Sequence, residues 1–169
     1  MPDICDLILD EHEVFRRRFA ELDEHRKGGD PETLRRLWEP LAELLDRHAA
    51  AEEEVFYPEL LARGRRAEDE TDDAIGDHNH IRDAVRDAAE AEPGSDEWWE
   101  AIDQAREENS DHMGEEERGA LADFRVNAPD EVREEVGARF VEYNQRHAGG
   151  RDVDTSDKDP DEYIEEHKP

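Results

Sequence analysis

The sequence predicts an all-α protein: an antiparallel up-down-up-down four-helix bundle with a short fifth helix and a disordered C-terminal tail. Three observations carry this. Apolar residues recur three and four positions apart through four long segments, the period of a helix with one buried face. The segments are joined by short Gly- and Pro-containing connections, which make sequential helices antiparallel neighbours. The first two segments also match the next two: from His12 to His78 is 66 residues, and from His48 to His112 is 64.

The first helix is expected over about Asp3 to Arg26, with Ile4, Ile8, His12, Phe15, Phe19 and Leu22 on one face. Lys27-Gly28-Gly29 stops it, and Asp30-Pro31 supplies the cap and first turn of the next helix. That second helix should reach about Arg63, with Leu34, Leu37, Leu41, Leu44, His48, Glu52 and Val55 sharing a face. Pro40 and Pro58 lie inside it and should kink or locally break it, because proline lacks the helical N–H. The third helix is expected over about Glu68 to Ala91, with Ile75, His78, Ile81 and Val85 in line. After Glu92-Pro93-Gly94-Ser95, capped by Ser95 or Asp96, the fourth runs from about Glu97 to Arg125. Its inner stripe is Trp98, Ile102, Ala105, His112, Glu116 and Ala120. Asn127-Ala128-Pro129-Asp130 opens a shorter fifth helix to about Arg146. Residues 1–147 are read as one domain and 148–169 as an acidic flexible tail, with at most a transient turn at Tyr163-Ile164.

At 169 residues the chain can bury an ordinary core. It carries 51 acids against 22 bases, a formal net charge of −29. The acids are spread over every segment, and only three of the bases (Lys27, Lys158, Lys168) are lysine. A distributed acidic surface of this kind suits a salt-filled cytoplasm, where screening removes the self-repulsion. It disfavours nucleic acid and anionic membranes as partners. Cys5 is the single cysteine, so no internal disulfide or cysteine-based zinc site is expected. The first residues lack a basic-then-apolar signal, and no apolar run approaches membrane-spanning length; a cytoplasmic protein, monomeric or homo-oligomeric, is expected.

The chemistry concentrates in six residues. His12, His48, His78 and His112 fall one per helix on the apolar stripe, and Glu52 and Glu116 follow His48 and His112 by four. Positions i and i+4 share a helix face about 6 Å apart, so each His-x-x-x-Glu pair can offer both donors to one metal or to two adjacent ones. A single histidine on such a stripe is most simply a hydrogen-bonded core residue. Four of them, with two core-side glutamates that are costly unless paired or metal-bound, argue for a site. Mixed imidazole and carboxylate donors suit iron, zinc and manganese. The Glu-x-x-His motif of carboxylate-rich di-iron bundles does not occur. Glu53 and Glu115 are candidate acceptors for the ligand N–H groups. Tyr57 can approach the site or fill the bundle end, and packing is the simpler reading. His25, His147 and His167 are expected in solvent. Trp38, Trp98 and Trp99 read as packing and Cys5 as buried. No Ser-His-Asp set, phosphate-cradling glycine loop or nucleotide fingerprint appears.

Residues 4 to 125 resemble the hemerythrin-like (HHE cation-binding) domain family. The resemblance rests on Asp10-Glu11-His12, the run His48 to Pro58 with Glu52-Glu53-Glu54-Val55-Phe56-Tyr57, Asp77-His78-Asn79-His80-Ile81, and His112-Met113-Gly114-Glu115-Glu116-Glu117. It implies a bundle around two non-haem iron ions, with His12, His48, His78 and His112 as terminal ligands and Glu52 and Glu116 as bridges. Oxygen-carrying members have a second histidine one turn after the third-helix ligand; here Arg82 holds that position. His80 lies about 200° round the helix and cannot replace it. An open coordination position follows, available to water, oxygen, nitric oxide or a further carboxylate. The first reading is a protein that binds or senses oxygen or nitric oxide, or holds iron. A di-iron oxidase, peroxidase or nitric oxide reductase is the alternative, and a storage or interaction module held together by metal is the third.

Overall fold

The computed structural model describes residues 1–169; its regular structure is all helix, with no strand. The main helices are α1 (Ile4–Glu24), α2 (Pro31–Ala51), α4 (Ala67–Glu90) and α5 (Asp96–Arg118). α1 touches α2 and α5, and α4 touches α2 and α5, so the four close a ring. Their starts are set by local chemistry. The Asp3 carboxylate accepts from the Cys5 N–H (2.8 Å), Asp30 from Thr33 (3.0 Å) and Ser95 Oγ from Trp98 (3.1 Å).

Two expected helices are broken, both just beyond a candidate ligand. The second reaches Arg63 with the interruption expected near Pro58: after Ala51 it passes through a π-helical turn, Glu52–Phe56, into α3 (Tyr57–Arg63). Pro58 supplies the reason, because it cannot donate to the ladder, and the Tyr57 N–H reaches back five residues to the Glu52 carbonyl. The extra residue in that turn leaves both Glu52 and Glu53 buried. At Pro40, by contrast, α2 continues as one helix. The fourth predicted helix breaks at Gly119 (φ −107°, ψ −95°) into α5 and α6 (Ala120–Asn127). A side chain there would meet the Glu115 carbonyl at 2.9 Å.

α7 (Asp130–Arg146) packs along α1 with Val136, Phe140 and Tyr143 buried. The tail also departs from the expectation of disorder. After a short 3-10 turn it runs extended and ends in α8 (Pro160–His167), packed on α4 and α3. Asp159 caps α8, and the apolar pair Tyr163 and Ile164 is buried against the bundle. His147 and His167 are half-buried, stacked on Tyr143 and Tyr163, and His25 is half-buried at the end of α1.

Apolar side chains form two clusters. One gathers Ile4, Ile8, Phe56, Phe124 and Phe140; the other gathers Phe15, Phe19, Trp38, Trp98 and Ile102. On α1, His12 falls in sequence between Ile8 of the first and Phe15 of the second, and it is itself fully buried. No helix is long and apolar enough to cross a membrane.

Candidate metal centre

All six candidate ligands are buried and converge. His12, His48, Glu52 and Glu116 offer donor atoms within 4.8 Å of one another, and Glu52, His78 and His112 do the same. Glu52 joins the two groups. Its Oε1 lies 2.9 Å from His48 Nε2, and its Oε2 lies 3.1 Å from His78 Nε2 and 3.8 Å from His112 Nε2. Glu116 Oε2 lies 3.3 Å from His12 Nε2 and 4.0 Å from His112 Nε2. The first two helices thus contribute one histidine pair and the next two the other.

Every Nε2 faces this centre, and every Nδ1 faces a carboxylate. His48 pairs with Glu11 (2.6 Å), His12 with Glu117 (2.9 Å), His78 with Glu53 (2.9 Å) and His112 with Asp77 (3.4 Å). Such acceptors fix ring orientation and tautomer and make the inward nitrogen a better ligand. The internal repeat governs them as well. Glu11 and Asp77 are 66 residues apart, and each serves the histidine of the following main helix. Glu53 and Glu117 are 64 apart, and each serves a histidine of the other half.

Arg82 does not serve as a ligand. It is buried, and its Nη2 donates to Glu53 Oε2 at 2.8 Å. Its repeat mate, 66 residues earlier, is Arg16, whose Nη2 donates to Glu117 Oε1 at 2.7 Å. Each arginine clamps the carboxylate that orients a histidine.

Of the two readings of Tyr57, packing and approach to the site, the second holds: its hydroxyl lies 2.9 Å from Glu116 Oε1 and 3.2 Å from Glu52 Oε2, and donates to one at a time. Glu115 is exposed, so of the two acceptors expected only Glu53 takes that role. Sequence reasoning missed Glu11, Asp77 and Glu117 as acceptors. Their repeat spacing was the available signal.

The charges interlock. Burial opposes ionisation of Glu52, but the facing His48, with His112 nearby and a hydrogen bond from His78, holds its carboxyl well below the usual range. Burial likewise opposes the His48 imidazolium, and Glu52 and Glu11 raise it well above normal regardless. His112 is raised to about 10 against its burial, by Asp77, Glu52 and Glu116. Tyr57 is pushed well above the usual phenol range by burial and by Glu116 and Glu52, so it stays a neutral donor.

The donor set fits a metal. His12 Nε2, His48 Nε2, Glu52 Oε1 and Glu116 Oε2 are buried without a hydrogen-bond partner; the His48–Glu52 and His12–Glu116 contacts are close but not aligned as hydrogen bonds. An unsatisfied buried polar atom costs about 1–3 kcal/mol, and a cation coordinated by all four would satisfy them together. A cleft of about 380 Å³, lined by Glu70, Asp73, Asp77 and Glu115, reaches His112 and Glu116 from solvent.

Comparison with known proteins places these residues within one family. A DNA nickase from Nostoc sp. is 25% identical over 138 residues, covering 82% of this chain and 38% of that protein's length. No solved structure matches. The family model described as the hemerythrin HHE cation binding domain matches residues 3–123, a span holding all six converging residues and their four carboxylate partners. The chain therefore belongs to the hemerythrin HHE cation-binding domain family.

Proposed function

We propose that the chain holds two metal ions, as an iron pair, and binds or senses oxygen or nitric oxide with them, or simply holds the iron. The observation that carries this is the set of four unpartnered buried donor atoms that face one another, in a centre where every histidine is held from behind by a carboxylate. His12 and His48 would be the terminal ligands of one ion and His78 and His112 of the other, with Glu52 and Glu116 bridging. A bound iron pair supplies reversible electron transfer to a small diatomic ligand. The chain's own residues do the rest. Glu11, Glu53, Asp77 and Glu117 keep the imidazoles aimed inward. Phe15 and Phe140, packed edge-on to His48 at ring centroids 5.0 and 6.4 Å away, exclude water on that side. Tyr57 offers a hydroxyl proton to the bridging carboxylates.

This reading takes residues 1–147 as one antiparallel up-down-up-down bundle with 148–169 packed on it, in a salt-rich cytoplasm. Zinc or manganese would suit the same donors. Aerobic and anaerobic purification, metal content per chain and optical spectra test it. About two irons per chain, with a band that appears on adding oxygen or nitric oxide to the reduced protein, is the expected result. Metal-free protein that stays empty on reconstitution would sink it.

A redox-enzyme reading, with the chain acting as oxidase, peroxidase or nitric oxide reductase, uses the same ligands. The hydroxyl of Tyr57 within reach of both bridging carboxylates favours it. Steady turnover with an added reductant, rather than a stable adduct, would select it. DNA as a substrate, suggested by the name of the Nostoc protein, is opposed by the net charge of −29. Supercoiled plasmid should remain intact with this chain and divalent metal.

A further inference from the structure

Glu53 is tied to the C-terminal segment twice. Its carboxylate Oε2 meets Lys158 Nζ at 2.8 Å, and its backbone carbonyl accepts from the Tyr163 hydroxyl. Glu53 is itself buried, and its other oxygen holds His78 Nδ1 at 2.9 Å. The segment is fixed from α4 as well. Asn79, the neighbour of His78, brackets Lys158 by donating to its carbonyl (2.7 Å) and accepting its N–H (3.0 Å). Arg86 holds the Thr155 carbonyl and the Asp157 carboxylate, each at 2.9 Å. Glu117, the repeat mate of Glu53, pairs with His12 and Arg16 alone and has no lysine or tyrosine upon it. The tail thus singles out one half of an otherwise paired centre, and it lies outside the residues that the family model matches.

We propose that residues 152–167 form a latch on the metal centre, in which Lys158 and Tyr163 position Glu53, and through it His78, so that metal loading and tail docking stabilise each other. The inference rests on the reading of the centre as a metal site. Its physical basis is reciprocity: whatever the docked tail adds to metal affinity, bound metal must add to docking. Segments that dock through a few side chains come from the less stable end of a fold, so the coupling has a real equilibrium to bias.

The test uses the full chain as wild type and as Lys158→Met, Tyr163→Phe and Lys158→Arg, each checked for helicity. Zinc and ferrous ion are titrated against a competing chelator, and tryptic cleavage after the exposed Arg151 is timed with and without metal. In wild type, metal should slow cleavage at Arg151 about five- to tenfold, the low end of ordinary coupling between sites. Lys158→Met and Tyr163→Phe should weaken one of the two metal-binding steps by a similar factor and lose the protection. Lys158→Arg should restore both. Wild-type protein that takes up no metal overturns the reading of the centre, and the latch with it. Protein that loads two ions, with variants equally tight and cleavage unaffected by metal, overturns the latch alone.

Discussion

His48 and His112 belong to different halves of the centre, so removing either should cost one ion and not both. His48→Ala and His112→Ala are each expected to lower metal content from about two per chain toward one. Each leaves buried carboxylates with one fewer partner, a loss of about 3 kcal/mol, so the variants are best compared in high salt. Full loading in both would show that these imidazoles are structural. A second residue-scale prediction concerns Glu70, raised to about 7 by burial and by the neighbouring Asp123. Asp123 stays ionised because the Arg65 and Arg66 amides donate to it at 2.8 and 3.0 Å, and Glu70 keeps a proton to share with it. A carboxyl raised in the folded state stabilises it below the unfolded value and loses that advantage as pH climbs through about 7. Glu70→Gln should therefore melt higher than wild type at pH 8, by about 1 kcal/mol after allowing for partial exposure, and match it near pH 4. An equal difference at both pH values would show that the pair does not share a proton. The six converging residues were legible in the sequence because four histidines recur on the apolar stripes and two carry a glutamate at i+4 on the same face. Glu11, Asp77 and Glu117 were not. Glu11 and Glu117 sit in acidic runs whose inward member composition cannot pick, Asp77 stands beside a histidine it does not serve, and each pairs with a histidine on another helix.

Helix existence was readable from periodicity, while the π form of the turn at Glu52–Phe56 and the break at Gly119 were not, since one added residue shifts the register without erasing the apolar stripes on either side. Pro58 pointed to one break, but Pro40 carried the same signal and α2 absorbs it. The docked tail was missed because its two buried anchors, Tyr163 and Ile164, stand in a strongly acidic stretch whose helix gains stability only from the surface beneath it. α7 offers a test of packing against propensity. Gly137 lies inside it, where alanine would ordinarily gain up to about 1 kcal/mol. A Cβ there would sit 2.1 Å from the Pro2 carbonyl oxygen and 3.1 Å from the Ile4 nitrogen, and both obstacles are backbone. Overpacking of this kind costs about 1–3 kcal/mol or more. The clash should win, and Gly137→Ala should melt several degrees lower and loosen the start of α1. A variant as stable as wild type would mean that the N-terminal residues can move away from α7 at no cost.

At the scale of the whole molecule the question is how a chain of net charge −29 stays folded. Its bases are largely engaged with nearby acids: Arg133 with Asp3 and Asp130, Arg26 with Asp23 and Asp103, Arg86 with Asp83 and Asp157. Pairs at or near the surface, as these are, contribute roughly 0–1 kcal/mol each. They leave an excess of acids that repel one another over the Debye length, about 10 Å at 0.1 M salt and about 3 Å at 1 M. The unfolded chain can spread those charges apart, so weak screening penalises the folded state. Melting temperature should therefore climb steeply from 0.1 M to molar potassium chloride, by about 10 °C, which for a chain of this length corresponds to about 3–5 kcal/mol. Metal acts through a separate route. A ligand held only by the folded state at a hundred times its dissociation constant adds about 2.7 kcal/mol whatever the salt. Scans across a salt series, with and without ferrous ion, should give two rising curves offset by several degrees. A melting temperature flat in salt would rule out adaptation to a salt-filled cytoplasm and leave the metal centre untouched, whereas rising but coincident curves would remove the metal centre and leave the charge argument standing.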